Sequence, residues 1–278
     1  AAGKGTRYLP DYHSLTPDTV WAVLQQYLDI DDPESINLQM FNSFLDGSKS
    51  AIEMTAVCNA TGLIPQDAGL QFPSASRFEL ADICKPSSAG GVLTRSGTTE
   101  VVSSLTRAGE TVAHHLAMGT FVVIQAGSDY ARQCLREYHM LPDKTGQYGA
   151  LYRPTHMIGL ELGVSIASVA LRGEPTGQPV CFSSDVVAIA KRDLKIGELL
   201  DGEGGHCVFG QQMPSEKSLS ARTVPLGLSA GMRLVRNVAS GQMLCRDDVD
   251  VGTADEATLA RDEMVSAFAP PKIPPATQ

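Results

Sequence analysis

The sequence predicts an α+β fold with a helix-rich first part and a smaller β-rich second part. In the first part, a β-branched run bounded by glycines, GTFVVIQAG (119–127), leads directly into an amphipathic helical pattern, SDYARQCLREYHM (128–140). Around residue 182, short β-type runs with glycine turns replace the helical patterns. A strand followed by a helix favours a layered body over an all-β one, and the later change of pattern favours a second domain.

Helical periodicity predicts further helices in the first part. Thr16 precedes Pro17 at the start of one pattern, which is the usual order of an N-cap and an early helical proline. Gly62 and Gly173 mark the ends of the other two. The predicted helices cover residues 16–28, 48–60 and 153–173.

An internal repeat defines the second part. KRDLKIGELL (191–200) aligns with VRNVASGQML (235–244), so that Leu194 matches Val238 and Gly197 matches Gly241. Two matching half-units predict a small pseudo-symmetric β domain. We therefore expect domains at 1–182 and 183–252 and a C-terminal tail at 253–278, whose proline-rich end, APPKIPPATQ, is typical of extended or disordered chain.

Composition excludes several classes of function. The formal net charge is −9, and lysines and arginines are scattered singly, so we expect no nucleic-acid partner. No apolar stretch is long enough for a membrane helix. The six cysteines are widely spaced without a CxxC pair, which favours reduced thiols of a cytoplasmic protein and predicts no metal site; only His206 and Cys207 are adjacent.

A lysine between two glycines is the first candidate for chemistry. Lys4 follows Gly3 in AAGKG, which is typical of the end of a strand. A lysine there can reach a ligand at the carboxyl end of the sheet, where open α/β folds bind their ligands. The alternative is an ordinary surface lysine.

The segment FLDGSKSAIE opens the helix predicted from Ser48. Asp46 and Ser48 lie at its free backbone N–H groups, which attract an anion. Lys49 stands against the helix dipole in the first turn, and Glu53 lies one turn later on the same face. Such a lysine suits binding an anion or passing a proton to a developing alkoxide. The alternative is a capped helix with a surface ion pair.

The segment YGALYRPTHMIGLE provides a third group. Arg153 offers a bidentate fork to a phosphate or carboxylate, and His156, expected in the first turn of a helix, can share that anion. The alternatives are a solvated arginine and a packed histidine. The sequence contains no GxGxxG or GxxxxGK[ST] motif.

These motifs together resemble a known family. AAGKG is similar to the strand-end lysine motif of homoserine dehydrogenases, and FLDGSKSAIE resembles their Asn-Gly-Thr-Thr-Asn helix start, with Lys49 departing from that pattern. The wider pattern looks like the homoserine dehydrogenase-like oxidoreductases with a C-terminal SAF domain, a β-clip fold that the repeat also resembles. That group includes 1-deoxy-D-xylulose 5-phosphate reductoisomerase-like enzymes.

The resemblance implies a fold, a cofactor and roles for the candidate residues. Helices would pack on a mostly antiparallel sheet, followed by the SAF domain, and a Rossmann domain would precede Ala1. That domain would bind most of the NADP or NAD, a divalent cation is possible, and a homo-oligomer is expected. The implied residues are Lys4, Asp46 and Lys49 for catalysis, Ser48, Glu53, Arg153 and His156 for the substrate, and Gly3 and Lys4 for the cofactor.

The sequence thus predicts the catalytic and C-terminal portion of an NAD(P)H-dependent oxidoreductase for a small anionic carbonyl or hydroxy compound, inactive without its dinucleotide-binding domain. One alternative is homoserine dehydrogenase proper. Another is a non-catalytic sugar-binding or oligomerisation module. A sugar-acid lyase or dehydratase would need a metal cluster, and no such ligand spacing occurs.

Overall fold

A computed structural model describes residues 1–252 and 255–268. The strands are β1 (Ala2–Thr6), β2 (Thr99–Ser103), β3 (Thr120–Gln125), β4 (Tyr148–Arg153), β5 (Ser184–Ala190), β6 (Val208–Pro214), β7 (Arg233–Leu234) and β8 (Val249–Asp250). The helices are α1 (Val20–Leu24), α2 (Leu38–Leu45), α3 (Ser48–Thr61), α4 (Leu80–Ile83), α5 (Asp129–Glu137), α6 (Leu162–Arg172), α7 (Ser215–Ser220) and α8 (Glu256–Ala267).

The chain divides into two compact units. Among the described residues, the first comprises Ala1–Leu9 and Val57–Val180, and the second comprises Pro10–Ala56 and the part of the chain between 181 and 268. The break at Cys181 lies beside the boundary predicted at 182, whereas the segment Pro10–Ala56 belongs to the second unit. A division into compact units does not identify the type of each domain, so the predicted domains stay a prediction.

The first unit contains a four-stranded sheet in the order β2-β1-β3-β4. Strand β1 pairs in parallel with β2 and antiparallel with β3, and β3 pairs antiparallel with β4. The sheet is therefore mixed and mostly antiparallel. Together with the helices, it confirms the predicted α+β class.

Side chains alternate between the two faces of this sheet. Phe121, Val123 and Ala150 point into the core of the first unit, which also contains Leu80 and Leu116. The opposite face, called the outer face below, carries residues of the alternate register: Lys4, Thr120, Val122, Ile124, Leu151 and Arg153. Val122, Ile124 and Leu151 are 40%, 43% and 50% exposed. Successive side chains therefore alternate between the two faces along β3 and β4, and apolar residues lie on both faces.

The predicted helix at 153–173 begins late. Strand β4 continues to Arg153, and regular helix starts only at Leu162. Pro154 disfavours helical geometry in the residue before it, and Gly159 adopts a left-handed φ of 87° that a helix does not contain. His156 therefore precedes α6 and does not lie in the first turn of a helix. The helix predicted at 16–28 is likewise shorter, because α1 covers only Val20–Leu24.

The second unit ends in small antiparallel sheets, as the predicted fold class requires. Strand β5 pairs antiparallel with β6, and β7 pairs antiparallel with β8. Their apolar residues form one core with the flanking turns, including Val208, Leu226, Leu234 and Leu244, each at most 1% exposed.

The sequence repeat is also a structural repeat. The aligned residues Leu194 and Val238 face each other and exchange both backbone hydrogen bonds, at 2.8 and 3.0 Å. The aligned glycines make equivalent bonds: Gly197 N–H donates to Leu234, and Gly241 N–H donates to Ala190. Both glycines have left-handed φ values, 88° and 77°. The two half-units are therefore related by a local pseudo-twofold through the Leu194–Val238 bridge.

Helix α8 lies within the segment expected to be a tail. Asp255 caps it by accepting from the Thr258 amide. Arg261 anchors it through two hydrogen bonds to the Asp185 carboxylate of β5, at 3.0 and 2.5 Å. The proline-rich end, residues 269–278, lies outside the described residues.

Candidate functional site

Two of the predicted cations lie in one row across the outer face of the first unit. In the strand register, Lys4 is opposite Thr120, and Thr120 is opposite Arg153. Opposed residues on neighbouring strands share a face of the sheet. Two strand spacings separate the backbones of Lys4 and Arg153, which corresponds to about 10 Å. A small anionic molecule can therefore contact both side chains.

His156 lies close to the start of β3. Its amide N–H and its Nδ1 both bond the carbonyl oxygen of Met118, at 3.0 and 2.8 Å. A carbonyl oxygen only accepts, so Nδ1 must carry a proton, and Nε2 is the acceptor in the neutral ring. Met118 is a non-glycine residue with a left-handed φ of 66°. Such backbone strain persists where the surroundings hold it, and it often occurs at functional sites.

Arg153 is already paired within the first unit. Its Nη2 lies 2.5 Å from Glu161 Oε1, and the two side chains are 61% and 35% exposed. An ion pair this exposed contributes at most about 1 kcal/mol. An incoming phosphate or carboxylate can therefore replace Glu161 as the partner of Arg153.

Gly3 is explained by packing. A Cβ at this position would lie 1.9 Å from the Glu100 carbonyl oxygen and 2.7 Å from the Phe121 ring, so only glycine fits. This packing accounts for the glycine, and the cofactor contact predicted for Gly3 stays a prediction. The contact predicted for Lys4 stays a prediction.

The other predicted residues belong to the second unit, and Asp46 is one of the two that are fully buried. Its side chain is inaccessible to solvent, and Oδ2 lies 2.8 Å from Lys191 Nζ. Oδ1 accepts from the Ser48 amide at 2.8 Å, which caps α3. Lys191 also donates to the carbonyls of Leu15 and Gly205, at 2.7 Å each. Asp46 thus holds the start of α3, and its catalytic role stays a prediction that this environment does not favour.

Ser48, Lys49 and Glu53 differ in their surroundings. The buried Ser48 hydroxyl accepts from the Gly210 amide at 2.8 Å, so it ties α3 to β6. Lys49 is half-buried and forms no hydrogen bond or ion pair within the described part of the chain, so the expected pair with Glu53 is not formed. Lys49 is therefore the residue of this group whose cation is available to a ligand.

His13 lies beside the Asp46–Lys191 pair in the second unit. Its Nδ1 bonds the Asp46 carbonyl oxygen at 2.7 Å, and its ring stacks on Phe209 with 4.2 Å between centroids. Burial lowers the pKa of His13, although the hydrogen bond to Asp46 acts in the opposite direction. His13 is therefore a packed, neutral histidine.

Glu100 is a buried acid that sequence reasoning did not identify. It is inaccessible to solvent on β2 and accepts from Gln66 Nε2 at 2.5 Å and from the amides of Gln71 and Val101 at 3.0 and 2.9 Å. Burial raises the pKa of Glu100 to about 7, against the opposing effect of these hydrogen bonds. Glu100 is the last residue of the polar segment RSGTTE, and nothing in that local sequence indicates that its carboxylate is buried.

Among the described residues, no three His, Cys, Asp or Glu side chains are grouped so that they could hold a metal ion. Within residues 1–252 and 255–268, no helix has the length and apolar character needed to cross a membrane.

A comparison with protein families matches residues 1–162 to the family described as "Oxidoreductase DRL, catalytic domain". No curated protein matches the chain. The matched segment is more than half of the 278 residues and contains Lys4, Arg153 and His156. The chain therefore belongs to the family of oxidoreductase DRL catalytic domains.

Proposed function

We propose that this oxidoreductase domain uses NADP or NAD and acts on a small anionic carbonyl or hydroxy compound, in the manner of the 1-deoxy-D-xylulose 5-phosphate reductoisomerase-like group. The observation that supports the proposal is the row of Lys4 and Arg153 on the outer face, with His156 fixed close to it. Cationic side chains of this kind suit a phosphate or carboxylate.

The dinucleotide would be held mainly by residues outside this chain, because the sequence has no GxGxxG fingerprint. Gly3 and Lys4 are the cofactor contacts that this proposal keeps within the chain. When bound, the reduced nicotinamide supplies a hydride to the carbonyl carbon of the substrate. On this proposal the chain is inactive without the dinucleotide-binding part.

Lys4, Arg153 and His156 would bind the substrate and supply the proton. Lys4 donates a hydrogen bond to the reacting oxygen and passes it a proton as the alkoxide develops. Arg153 exchanges Glu161 for the anionic group of the substrate, and His156 donates to the same group when Nε2 is protonated. Lys49, whose charge is unpaired in the described residues, is the proposed second catalytic cation. A divalent cation, if one takes part, would enter with the substrate.

The repeat supports the assignment of the C-terminal part to the SAF domains. The reciprocal bonding of Leu194 and Val238 and the equivalent glycine turns give it the pseudo-symmetry expected of a β-clip. The proposal therefore includes the homoserine dehydrogenase-like architecture with an SAF domain.

The apolar surface of the first unit supports a homo-oligomer. In α6, Val164, Ile166 and Leu171 are 66%, 61% and 83% exposed. Exposed apolar surface on this scale marks an interface in most soluble proteins. A second copy of the chain is the proposed occupant.

The experiment that tests the function is an assay of NADPH and NADH oxidation by the protein together with any dinucleotide-binding part of its parent polypeptide. It compares 1-deoxy-D-xylulose 5-phosphate with aspartate semialdehyde. We expect turnover of the first, and a loss of at least about 100-fold in kcat for Lys4→Ala. Lys144→Ala, at an exposed lysine of the same unit, is the matched control. Turnover of aspartate semialdehyde alone would assign homoserine dehydrogenase proper, and no turnover of either would contradict the proposal.

A further inference from the structure

The second unit contains a cleft that the proposed oxidoreductase chemistry does not use. It has two adjoining lobes between the β-rich body and α8, with volumes of about 250 and 130 Å³. Pro225, Arg246 and Asp262 line both lobes, so the two spaces adjoin at these residues.

The two lobes differ in chemistry. The larger lobe is lined by three arginines, Arg222, Arg246 and Arg261. The smaller lobe is lined mainly by apolar side chains, among them Leu228 and Met232. One end of the cleft therefore presents guanidinium groups, and the other presents apolar surface.

The three arginines are not equally available. Arg261 is 17% exposed and is neutralised by its two hydrogen bonds to Asp185. Arg222 and its partner Asp247 are 63% and 61% exposed, at a separation of 3.1 Å. Exposed pairs of this kind contribute little and exchange readily, so Arg222 can turn to a new partner.

Arg246 lies where the lobes meet. Its Nη2 is 3.6 Å from Asp262 Oδ1, which is an ion pair too long to be a hydrogen bond, and the side chains are 38% and 57% exposed. An anion that bonds Arg246 directly gains the short contact that Asp262 does not make. A carbon chain attached to that anion can then extend along the cleft into the apolar lobe.

We propose that this cleft binds a small amphipathic organic anion, with its carboxylate or phosphate on Arg222 and Arg246 and a short apolar body in the smaller lobe. A purely inorganic anion leaves the apolar lobe unfilled, and an uncharged molecule leaves the guanidinium groups with their present partners. The site is separate from the outer face of the first unit, and its occupancy does not depend on the oxidoreductase activity.

The test is isothermal titration calorimetry on the 278-residue chain with hexanoate, acetate, 1-hexanol and inorganic phosphate. We expect hexanoate to bind at least about tenfold more tightly than acetate, because the added methylenes are buried. Arg246→Met should weaken hexanoate binding about tenfold. Arg233→Met is the matched control, since Arg233 is an exposed arginine of the same unit that does not line the cleft.

Other results would overturn the proposal. They are equal affinities for hexanoate and acetate, equal affinities for hexanoate and 1-hexanol, tighter binding of phosphate than of hexanoate, or hexanoate binding that Arg246→Met leaves unchanged. If Arg246→Met does not fold, Leu228→Gln in the apolar lobe replaces it. That variant should weaken hexanoate binding several-fold and leave acetate binding unchanged.

Discussion

Lys191 and Asp46 form a buried ion pair whose ammonium has two further acceptors. The Nζ–Oδ2 distance is 2.8 Å, and the two side chains are 1% and 0% exposed. The carbonyls of Leu15 and Gly205 accept the other protons of Lys191. The pair therefore joins three segments of the second unit at the start of α3.

This arrangement predicts a structural role for Asp46. Asp46→Ala leaves the Lys191 charge buried without its partner and should lower the free energy of unfolding by about 3–5 kcal/mol, as should Lys191→Met. Lys49→Met, at a half-buried lysine that pairs with none of the described residues, should change it by no more than about 0.5 kcal/mol. Urea unfolding measures all three. Asp46→Ala with unchanged stability but lost turnover would instead support the catalytic role.

A second buried pair gives a prediction about acid stability. Lys85 Nζ lies 2.8 Å from Asp143 Oδ2, and the amide of Tyr148 and the hydroxyl of Thr145 also donate to this carboxylate. Burial alone would raise the pKa of Asp143, but the hydrogen bonds outweigh it and lower the pKa to about 2. A depressed carboxyl pKa contributes stability above its unfolded pKa, and that contribution is lost as the pH falls toward 2.

Asp143→Asn should therefore cost about 3 kcal/mol of unfolding free energy at pH 7 and much less at pH 2. Urea unfolding at a series of pH values follows the difference between wild type and variant. Asp129→Asn, at a carboxylate that is 90% exposed, is the control. A difference that stays constant from pH 5 to pH 2 would show that Lys85 does not stabilise the charged carboxylate.

The raised pKa of Glu100 predicts the opposite trend at higher pH. With a folded pKa of about 7, the folded protein keeps a proton that the unfolded chain has already lost above pH 4.5. Stability should then fall by about 1.4 kcal/mol per pH unit between roughly pH 4.5 and 7 and level off above that range.

Glu100→Gln removes this titration, so the difference between wild type and variant should vary with pH over that window alone. Urea unfolding of both proteins from pH 4 to pH 8 measures it. The exposed Glu110→Gln variant should follow wild type throughout. Parallel curves for wild type and Glu100→Gln would place the Glu100 pKa near its ordinary value.

The limits of sequence reasoning can be seen in these same residues. The repeat was predictable because Leu194, Gly197 and their counterparts occupy equivalent positions, and equivalent local sequences adopt equivalent turns. The pairing of Lys191 with Asp46 was not predictable, because it depends on tertiary contact between distant segments. For the same reason Asp46 was taken as a site residue, whereas its carboxylate caps α3 and pairs with Lys191.

The candidate site was likewise predictable only in part. Local patterns identified Lys4, Arg153 and His156, but the row across the outer face follows from the strand register, which the sequence does not contain. The pairing of Glu161 with the Arg153 guanidinium is seen only in the structure. The sequence did not predict helix α8, because its apolar and polar residues are not separated onto different helix faces and prolines follow it.

The pair of Arg153 and Glu161 predicts a kinetic signature for substrate binding. Arg153→Met should raise KM for the anionic substrate about tenfold with little change in kcat, because the lost contact is present in both the ground and transition states. Glu161→Gln should lower KM two- to threefold, since it removes the competing carboxylate. Arg172→Met, an exposed arginine paired with Glu174, is the control for steady-state assays. A loss confined to kcat in Arg153→Met would show that Arg153 acts on the reacting atoms.

The exposed apolar residues of α6 predict how the chain assembles. Ile166 and Leu171 are 61% and 83% exposed, and the helix buries only Ser168. A helix with this much exposed apolar surface gains from association, because burying each such side chain contributes about 1.5–3 kcal/mol. A charge introduced at one of these positions would be desolvated in the interface and should prevent association.

Ile166→Asp and Leu171→Asp should therefore convert an oligomer into a monomer in light scattering after size exclusion. Tyr138→Asp, at a residue of the same unit that is 76% exposed, should leave the mass unchanged. A monomeric wild type at micromolar concentration would contradict the proposed association, and an oligomer that survives both α6 substitutions would place the interface elsewhere.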